Sequence, residues 1–283
     1  MTQPTFLLGL GASKSGTSWV QSYLNSAPMV DMGRLGEYQV WDALHIPANA
    51  KYRIARPPLF KRIEAAFATR LGLPIGAKAF RYRLQQNPDR YFSYFAGILA
   101  RAGITHTGDI TPGYAALPAE VLQRIDTGFA ARGIVVKPIF VMRDPIERAW
   151  SVFRMKRRKG HLSADHTDLT AFLDSYTTFQ PGEADSYRAT LTTLSQIFPT
   201  ERRYTGLFET LFTTPAIDAL SSYAGIPSDP KQGAQKVNAS ADASAVPPET
   251  ARQLFPRFAA DYTYCAQHMP ETLQHWPHAH LLG

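Results

Sequence analysis

Three side chains suited to binding an anion lie within five residues near the start of the chain: Lys14, Thr17 and Ser18. They follow the apolar run Phe6–Leu10, which is typical of a short buried strand, and they precede residues with helical spacing. Where a strand turns into a helix, free backbone N–H groups and the positive end of the helix dipole favour a bound anion. The stretch Lys14-Ser15-Gly16-Thr17-Ser18 therefore predicts a loop that binds the 5′ phosphate side of a nucleotide.

A second candidate anion site pairs Arg143 with Ser151. Arg143 follows residues 134–142, whose apolar and β-branched composition is typical of a strand buried on both faces of a parallel sheet. Arginine in this position suits bidentate phosphate binding, although it could instead pair with Asp144 or Glu147. The helix predicted after it ends in cations that also suit the helix dipole, namely Arg154, Lys156, Arg157, Arg158 and Lys159. Together the two sites imply a ligand with phosphates at both ends.

The first loop differs from the Walker A motif of nucleoside triphosphatases. That motif places a lysine and then Ser or Thr directly after its second glycine, whereas here Lys14 precedes Gly16 by two residues. Only Asp109, at the end of a predicted strand, could serve as the metal-binding acid that such enzymes need. A kinase-like phosphotransferase is therefore the alternative reading, together with a non-catalytic nucleotide-binding protein on the same scaffold.

Both motifs resemble those of the PAPS-dependent sulfotransferase family, where PAPS is 3′-phosphoadenosine 5′-phosphosulfate. The loop sequence 14–19 is similar to the 5′-phosphosulfate loop of the family's cytosolic branch. The run Arg143-Asp144-Pro145-Ile146-Glu147-Arg148-Ala149-Trp150-Ser151 is similar to the 3′-phosphate motif of the heparan-sulfate and related bacterial branch. A weaker resemblance covers most of the chain, including residues 108–114 and 206–211.

The resemblance implies that a sulfuryl group moves from PAPS to a hydroxyl by in-line displacement, with PAP as product and no metal. By similarity, Lys14 stabilises the departing oxygen, and the 5′ phosphate is held by Ser15, Gly16, Thr17 and Ser18. Arg143 and Ser151 would bind the 3′ phosphate. Trp19 would stack on adenine, unless it is a core aromatic. Lys236 would add to the 3′-phosphate or adenine pocket.

A hydroxyl acceptor needs a general base, and the resemblance points to Glu37. The glycan-type branch has a glutamate after the first helix, and Glu37 fits that position; alternatively it is a first-turn acid at the start of a helix, residues 37–44. Asp109 is the second candidate for the base, or it orients substrate or Lys14, or it caps a turn. His45 and His106 are interpreted as structural.

Composition limits the remaining possibilities. The 283 residues carry a net charge of +7, and Cys265 is the only cysteine, so no internal disulfide can form. No apolar stretch approaches the roughly 20 residues that span a bilayer, no leader is evident, and no nucleic-acid-binding signature is present. We therefore expect a cytoplasmic protein without a nucleic-acid partner. The acceptor is a small-molecule, lipid or glycan hydroxyl, and the oligomeric state is open.

Strand and helix patterns alternate along the chain, which predicts an α/β fold with a parallel sheet covered on both faces. The resemblance makes this a P-loop-NTPase-like three-layer fold in a single sulfotransferase domain, 1–283. Residues 75–80 could form a short strand, and residues 228–248 read as a long loop. Four arginines either line an anionic-acceptor cleft or are surface charges: Arg53, Arg56, Arg81 and Arg83.

Overall fold

The structure is a computed structural model that describes residues 3–71, 73–160, 168–178, 186–233 and 245–283. Within these ranges, four strands form one parallel sheet: β1 (Thr5–Gly11), β2 (His106–Ile110), β3 (Val135–Met142) and β4 (Tyr204–Leu207). The strand order is β2-β1-β3-β4, so β1 and β3 are central. Their nearly continuous apolar sequences fit strands that are covered on both faces.

Helices cover both faces of this sheet. In chain order they are α1 (Thr17–Ser26), α2 (Trp41–His45), α3 (Leu59–Arg70), α4 (Ala77–Gln86), α5 (Pro88–Leu99), α6 (Ala119–Ala130), α7 (Pro145–Arg158), α8 (Asp168–Thr178), α9 (Tyr187–Ile197), α10 (Thr214–Ala224), α11 (Pro230–Gly233), α12 (Pro248–His268) and α13 (Thr272–His275). Phe6 and Leu8 of β1 belong to one apolar cluster and Leu7 to the other, because side chains alternate along a strand. The predicted α/β class is confirmed.

Helices α5 and α7 each begin at a side-chain cap. Asn87 caps α5 by accepting a hydrogen bond from the backbone N–H of Asp89, and Asp144 caps α7 through the N–H groups of Ile146 and Glu147. Pro138 lies in central β3 opposite Leu8, although proline is usually excluded from central strands. Burial on both faces stabilises this strand by more than the loss of one backbone N–H donor at the proline destabilises it.

Three local predictions were wrong. Residues 75–80 do not form a strand, because Ala77 begins α4 after Gly76 and the stretch continues with helical spacing. The loop predicted over 228–248 contains α11, and residues 234–244 lie outside the described part of the chain. Glu37 does not open a helix; it lies in the connection before α2.

The connection before α2 stays non-helical because side chains from elsewhere bind its backbone. Thr111 Oγ1 accepts hydrogen bonds from the N–H groups of Tyr38 at 3.0 Å and Gln39 at 3.4 Å. The Tyr114 hydroxyl accepts one from the N–H of Val40 at 3.3 Å. Donors engaged in this way are not available to a helical ladder. Among the described helices, none combines the length and apolar character needed to cross a membrane.

Candidate functional site

The loop between β1 and α1 presents an uncapped helix N-terminus. No side chain caps α1, and its first turn contains no acid, so the first backbone N–H groups and the helix dipole stay available to an anion. Thr17 and Ser18 add hydroxyls at this end, and Lys14 adds a half-buried cation. Ser15 is fully buried, and its hydroxyl has no hydrogen-bond partner among the described residues.

Gly16 is required by the shape of this loop. Its φ of +83° lies in the left-handed region. A Cβ there would also lie 2.7 Å from Cδ2 of Leu211 and 3.2 Å from Cδ2 of Phe208. The helix start is therefore packed directly against the segment that follows β4, with no room for a larger side chain.

Sheet topology brings the two predicted anion sites to one edge. β1 and β3 are parallel neighbours, and the N–H of Ala12 donates to the carbonyl of Val141 at 2.6 Å. The Lys14 loop and Arg143 therefore leave the carboxyl ends of adjacent strands. This edge is where open α/β sheets bind ligands.

Lys14 lies within a group of cations. Its pKa is lowered first by burial and then by the positive charges of Arg158, Arg143, Arg154 and Lys159. Arg154 and Arg158 follow Glu147 and Ser151 at helical spacing, so these α7 residues share one face. An anion placed among these cations would relieve their mutual repulsion.

Arg143 is held on three sides. Its Nη2 lies 3.5 Å from Oε2 of Glu147, and its guanidinium lies 4.7 Å from the centre of the Phe208 ring. Its carbonyl accepts a hydrogen bond from the Tyr187 hydroxyl at 2.7 Å. The ion pair with Glu147 that the sequence left as an alternative is thus present, but it is long. The Phe208 ring orients the planar guanidinium, which can bind an anion in addition to Glu147.

The other predicted donor-site residues are placed differently. Ser151 lies on α7 and is nearly buried, one turn beyond Glu147. Trp19 is only 2% exposed, stacks on Tyr23, and donates from Nε1 to the carbonyl of Gly233 at 2.8 Å. This placement favours the core-aromatic alternative over adenine stacking. Lys236 lies outside the described residues.

Glu37 reaches solvent beside the same site. Its side chain is exposed, yet neighbouring atoms desolvate the carboxyl enough to raise its pKa, against the opposing effects of the Gln39 hydrogen bond and of Arg81 and Lys159. Gln39 Nε2 donates to Oε2 of Glu37 at 3.2 Å. Because Lys159 also acts on Lys14, the candidate base and the lysine assigned to the departing oxygen share a charged neighbour.

Asp109 is buried completely and touches three hydroxyls. It accepts hydrogen bonds from Thr111 at 2.6 Å, Tyr114 at 2.7 Å and Tyr91 at 2.9 Å. Burial nevertheless raises its pKa to about 6. Thr111 and Tyr114 are the residues that bind the backbone just after Glu37, so Asp109 acts on the candidate base through them. This arrangement favours a positioning role for Asp109 over that of a base.

Comparison with known proteins establishes the fold. The chain is similar to a sulfotransferase from Alicyclobacillus acidocaldarius, with a TM-score of 0.59 and 16% identity over 94% of this chain and 96% of that one. It is also similar to the sulfotransferase domain from the curacin biosynthetic pathway, with a TM-score of 0.48 and 16% identity over 86% and 83% of the two chains. No protein-family model matches the sequence, and no curated protein matches it significantly. The first likeness confirms the three-layer fold expected from the two motifs.

A network that the motifs did not predict anchors α7 to the C-terminal segment. Asp144 accepts hydrogen bonds from the Tyr262 hydroxyl at 2.7 Å and from the N–H of His278 at 3.0 Å. Glu147 lies 3.3 Å from Nε2 of His278. The N–H of Val246 also donates to Glu147 at 3.0 Å. Because Glu147 also contacts Arg143, the C-terminal segment helps to fix the arginine.

The half-buried Glu209 and the buried Asp42 were also missed, and each has a buried oxygen without a hydrogen-bond partner among the described residues. Glu209 accepts from the N–H of Asp144 at 2.8 Å through Oε1, while its Oε2 is unpartnered. Asp42 accepts from Asn49 at 3.3 Å through Oδ2, while its Oδ1 is unpartnered. Burial raises the pKa of each to about 7. The sequence contains no signal for either, since a lone acid after a strand or in a short helix usually faces solvent.

Proposed function

We propose that this protein is a sulfotransferase that moves a sulfuryl group from PAPS to a hydroxyl of a small-molecule, lipid or glycan acceptor, leaving PAP. The observation that carries the proposal is the placement of Lys14 and Arg143 at the ends of adjacent strands β1 and β3. The two residues are close enough for the charge of Arg143 to lower the pKa of Lys14. One cation would thus serve each phosphate-binding position that the motif resemblance assigns.

The residues of the loop fit a phosphosulfate group. Backbone N–H groups at an uncapped helix start, with the hydroxyls of Thr17 and Ser18, are donors that phosphate oxygens accept. The Ser15 hydroxyl is buried in this loop, and Gly16 supplies the left-handed backbone conformation that the loop needs. PAPS would supply the sulfuryl group and a good leaving oxygen.

Lys14 would act on the bond that breaks. The departing oxygen gains negative charge as the sulfuryl group leaves, and a cation fixed beside it stabilises the transition state more than the ground state. Burial and the neighbouring cations disfavour an unpaired charge on Lys14, so its ammonium gains most when that negative charge develops.

Glu37 would remove the acceptor proton. The raised pKa brings its carboxylate closer to the basicity that a general base needs near neutral pH. Thr111 and Tyr114 bind the backbone of the loop that follows Glu37, which holds that part of the chain in place. No resident metal has a role in this proposal.

The test is turnover of labelled PAPS with a panel of hydroxyl acceptors, followed as labelled product. Lys14→Ala should lower kcat by about 100-fold or more, in line with the loss of one transition-state donor. Glu37→Gln should lower it by roughly 100-fold, typical of a lost general base. Arg252→Ala, which removes an exposed cation from α12, serves as the matched control. Normal turnover by Lys14→Ala would overturn the proposed role of the loop.

A further inference from the structure

Helix α3 turns its apolar side chains towards solvent. Six large apolar residues in and after it are each between 56% and 66% exposed: Leu59, Phe60, Ile63, Phe67, Leu71 and Leu73. The spacing of the first four places them on one face of the helix, within about 100°. A surface helix normally buries such a face against the core, so this stripe is available to an external apolar partner.

The chain's positive charge is concentrated around this stripe. Residues 51–86 contain nine Lys or Arg and one acid, Glu64, for a net charge of +8, whereas the whole chain carries +7. The remainder of the protein is therefore close to neutral. A basic segment with an exposed apolar face has the composition of a helix that lies in a membrane–water interface.

A basic cleft lies between α3 and α4. Its volume is about 480 Å³. Five cations line it and no acid does: Arg56, Lys61, Arg62, Arg83 and Arg90. Of the four arginines considered from the sequence, Arg56 and Arg83 line this basic cleft. Arg53 and Arg81 instead bind backbone carbonyls.

We propose that α3 and the adjoining basic cleft dock on an anionic lipid surface, with the stripe Leu59–Phe67 inserted among the acyl chains and the cleft on lipid headgroups. Apolar insertion and charge attraction act together on such a surface. A symmetric pair of these faces would place +8 against +8, which argues against a second copy of the chain as the occupant. The stretches outside the described residues, 161–167, 179–185 and 234–244, contain few large apolar side chains with which to cover the stripe.

Docking would place the lipid next to the loop that carries Glu37, the candidate base for the acceptor hydroxyl. Arg81 of α4 donates to the carbonyls of Glu37 at 2.7 Å and Tyr38 at 2.8 Å, so α4 is shared by the docking face and the Glu37 loop. Vesicle binding itself does not depend on whether Glu37 is a base or PAPS the donor.

The experiment is flotation of the full chain with vesicles of phosphatidylcholine alone and of phosphatidylcholine mixed with phosphatidylglycerol. We expect binding only to the mixed vesicles. Arg56→Glu/Arg62→Glu should weaken it by about tenfold or more, since each basic residue near such a surface contributes measurably. Phe60→Ser/Phe67→Ser should also weaken it by about tenfold or more, through lost apolar insertion.

Matched controls use exposed residues elsewhere. Arg188→Glu and Leu273→Ser change charge and apolar exposure outside the docking face and should leave vesicle binding unchanged. Because α3 is exposed, circular dichroism should show both double variants folded. Absence of binding to mixed vesicles, equal loss in the controls, or a dimer in light scattering that Phe60→Ser/Phe67→Ser abolishes would each overturn the proposal.

Discussion

Thr111→Val tests whether Asp109 positions the Glu37 loop. The substitution keeps the shape of the side chain but removes the donor to Asp109 and the acceptor for two backbone N–H groups, those of Tyr38 and Gln39. A hydrogen bond to a charged group is worth about 1.5–3 kcal/mol, and each buried donor left unsatisfied costs about 1 kcal/mol or more. We therefore expect the free energy of unfolding to fall by about 3.5–5 kcal/mol.

Thr107→Val is the matched control, from strand β2, which ends one residue before Thr111. Thr107 is equally buried, and its hydroxyl makes a single neutral bond to the carbonyl of Asp31 at 2.7 Å, so its loss should cost only about 1 kcal/mol. Urea unfolding of both variants measures the difference. Thr111→Val should also lower kcat of sulfotransfer with little change in affinity for PAP. Equal stability losses in the two variants, or a normal kcat for Thr111→Val, would refute the positioning role.

Two further predictions concern the loop and the C-terminal anchor. Gly16→Ala should destabilise the protein by on the order of 3 kcal/mol, because of the positive φ and the contact of the new Cβ with Leu211. The control Gly103→Ala, which has a similar φ but lies in open space, should cost about 1–2 kcal/mol. Urea unfolding midpoints measure both losses, and equal losses would contradict the packing argument. At the anchor, burial alone would lower the pKa of His278 and raise that of Glu147, but their contact outweighs it, so His278 is raised and Glu147 lowered. The stabilisation from the His278 imidazolium is complete below pH 6.5 and is lost as pH rises through the raised pKa of His278. The stabilisation from the Glu147 carboxylate is present above pH 4.5 and is lost as pH falls through the lowered pKa of Glu147. The stability difference between wild type and His278→Gln should therefore shrink as pH rises above 6.5 through the raised pKa of His278, which thermal unfolding measures; a constant difference would rule the pair out as a titrating contact.

Local sequence patterns predicted the parts of the site that depend on neighbouring residues. The apolar run of β1 and the apolar, β-branched run of β3 predicted buried strands, and a helix was predicted after Arg143, where α7 begins at Pro145. Since parallel neighbours end at the same sheet edge, the two anion motifs came together once both strands were recognised.

Long-range contacts account for what the sequence did not predict. Thr111 binds Tyr38 across 73 positions, and His278 reaches Glu147 across 131, so no local pattern records either contact. The burial of Trp19 depends on Gly233, which lies 214 positions away. The helix over residues 77–86 was missed for another reason, because a short apolar stretch fits helix and strand periods equally well.

The most direct test of the account is calorimetric titration of wild type and Arg143→Ala with 3′,5′-adenosine bisphosphate, with adenosine 5′-monophosphate as the ligand that lacks the 3′ phosphate. We expect wild type to bind the bisphosphate more tightly than the monophosphate. Arg143→Ala should weaken bisphosphate binding by about 10- to 100-fold, which is the loss in affinity expected when one charged hydrogen bond to a phosphate is removed. The same variant should bind the monophosphate as wild type does. Tighter binding of ATP·Mg²⁺ than of the bisphosphate, or an equal loss for both adenosine ligands, would contradict the assignment of Arg143 to a 3′ phosphate.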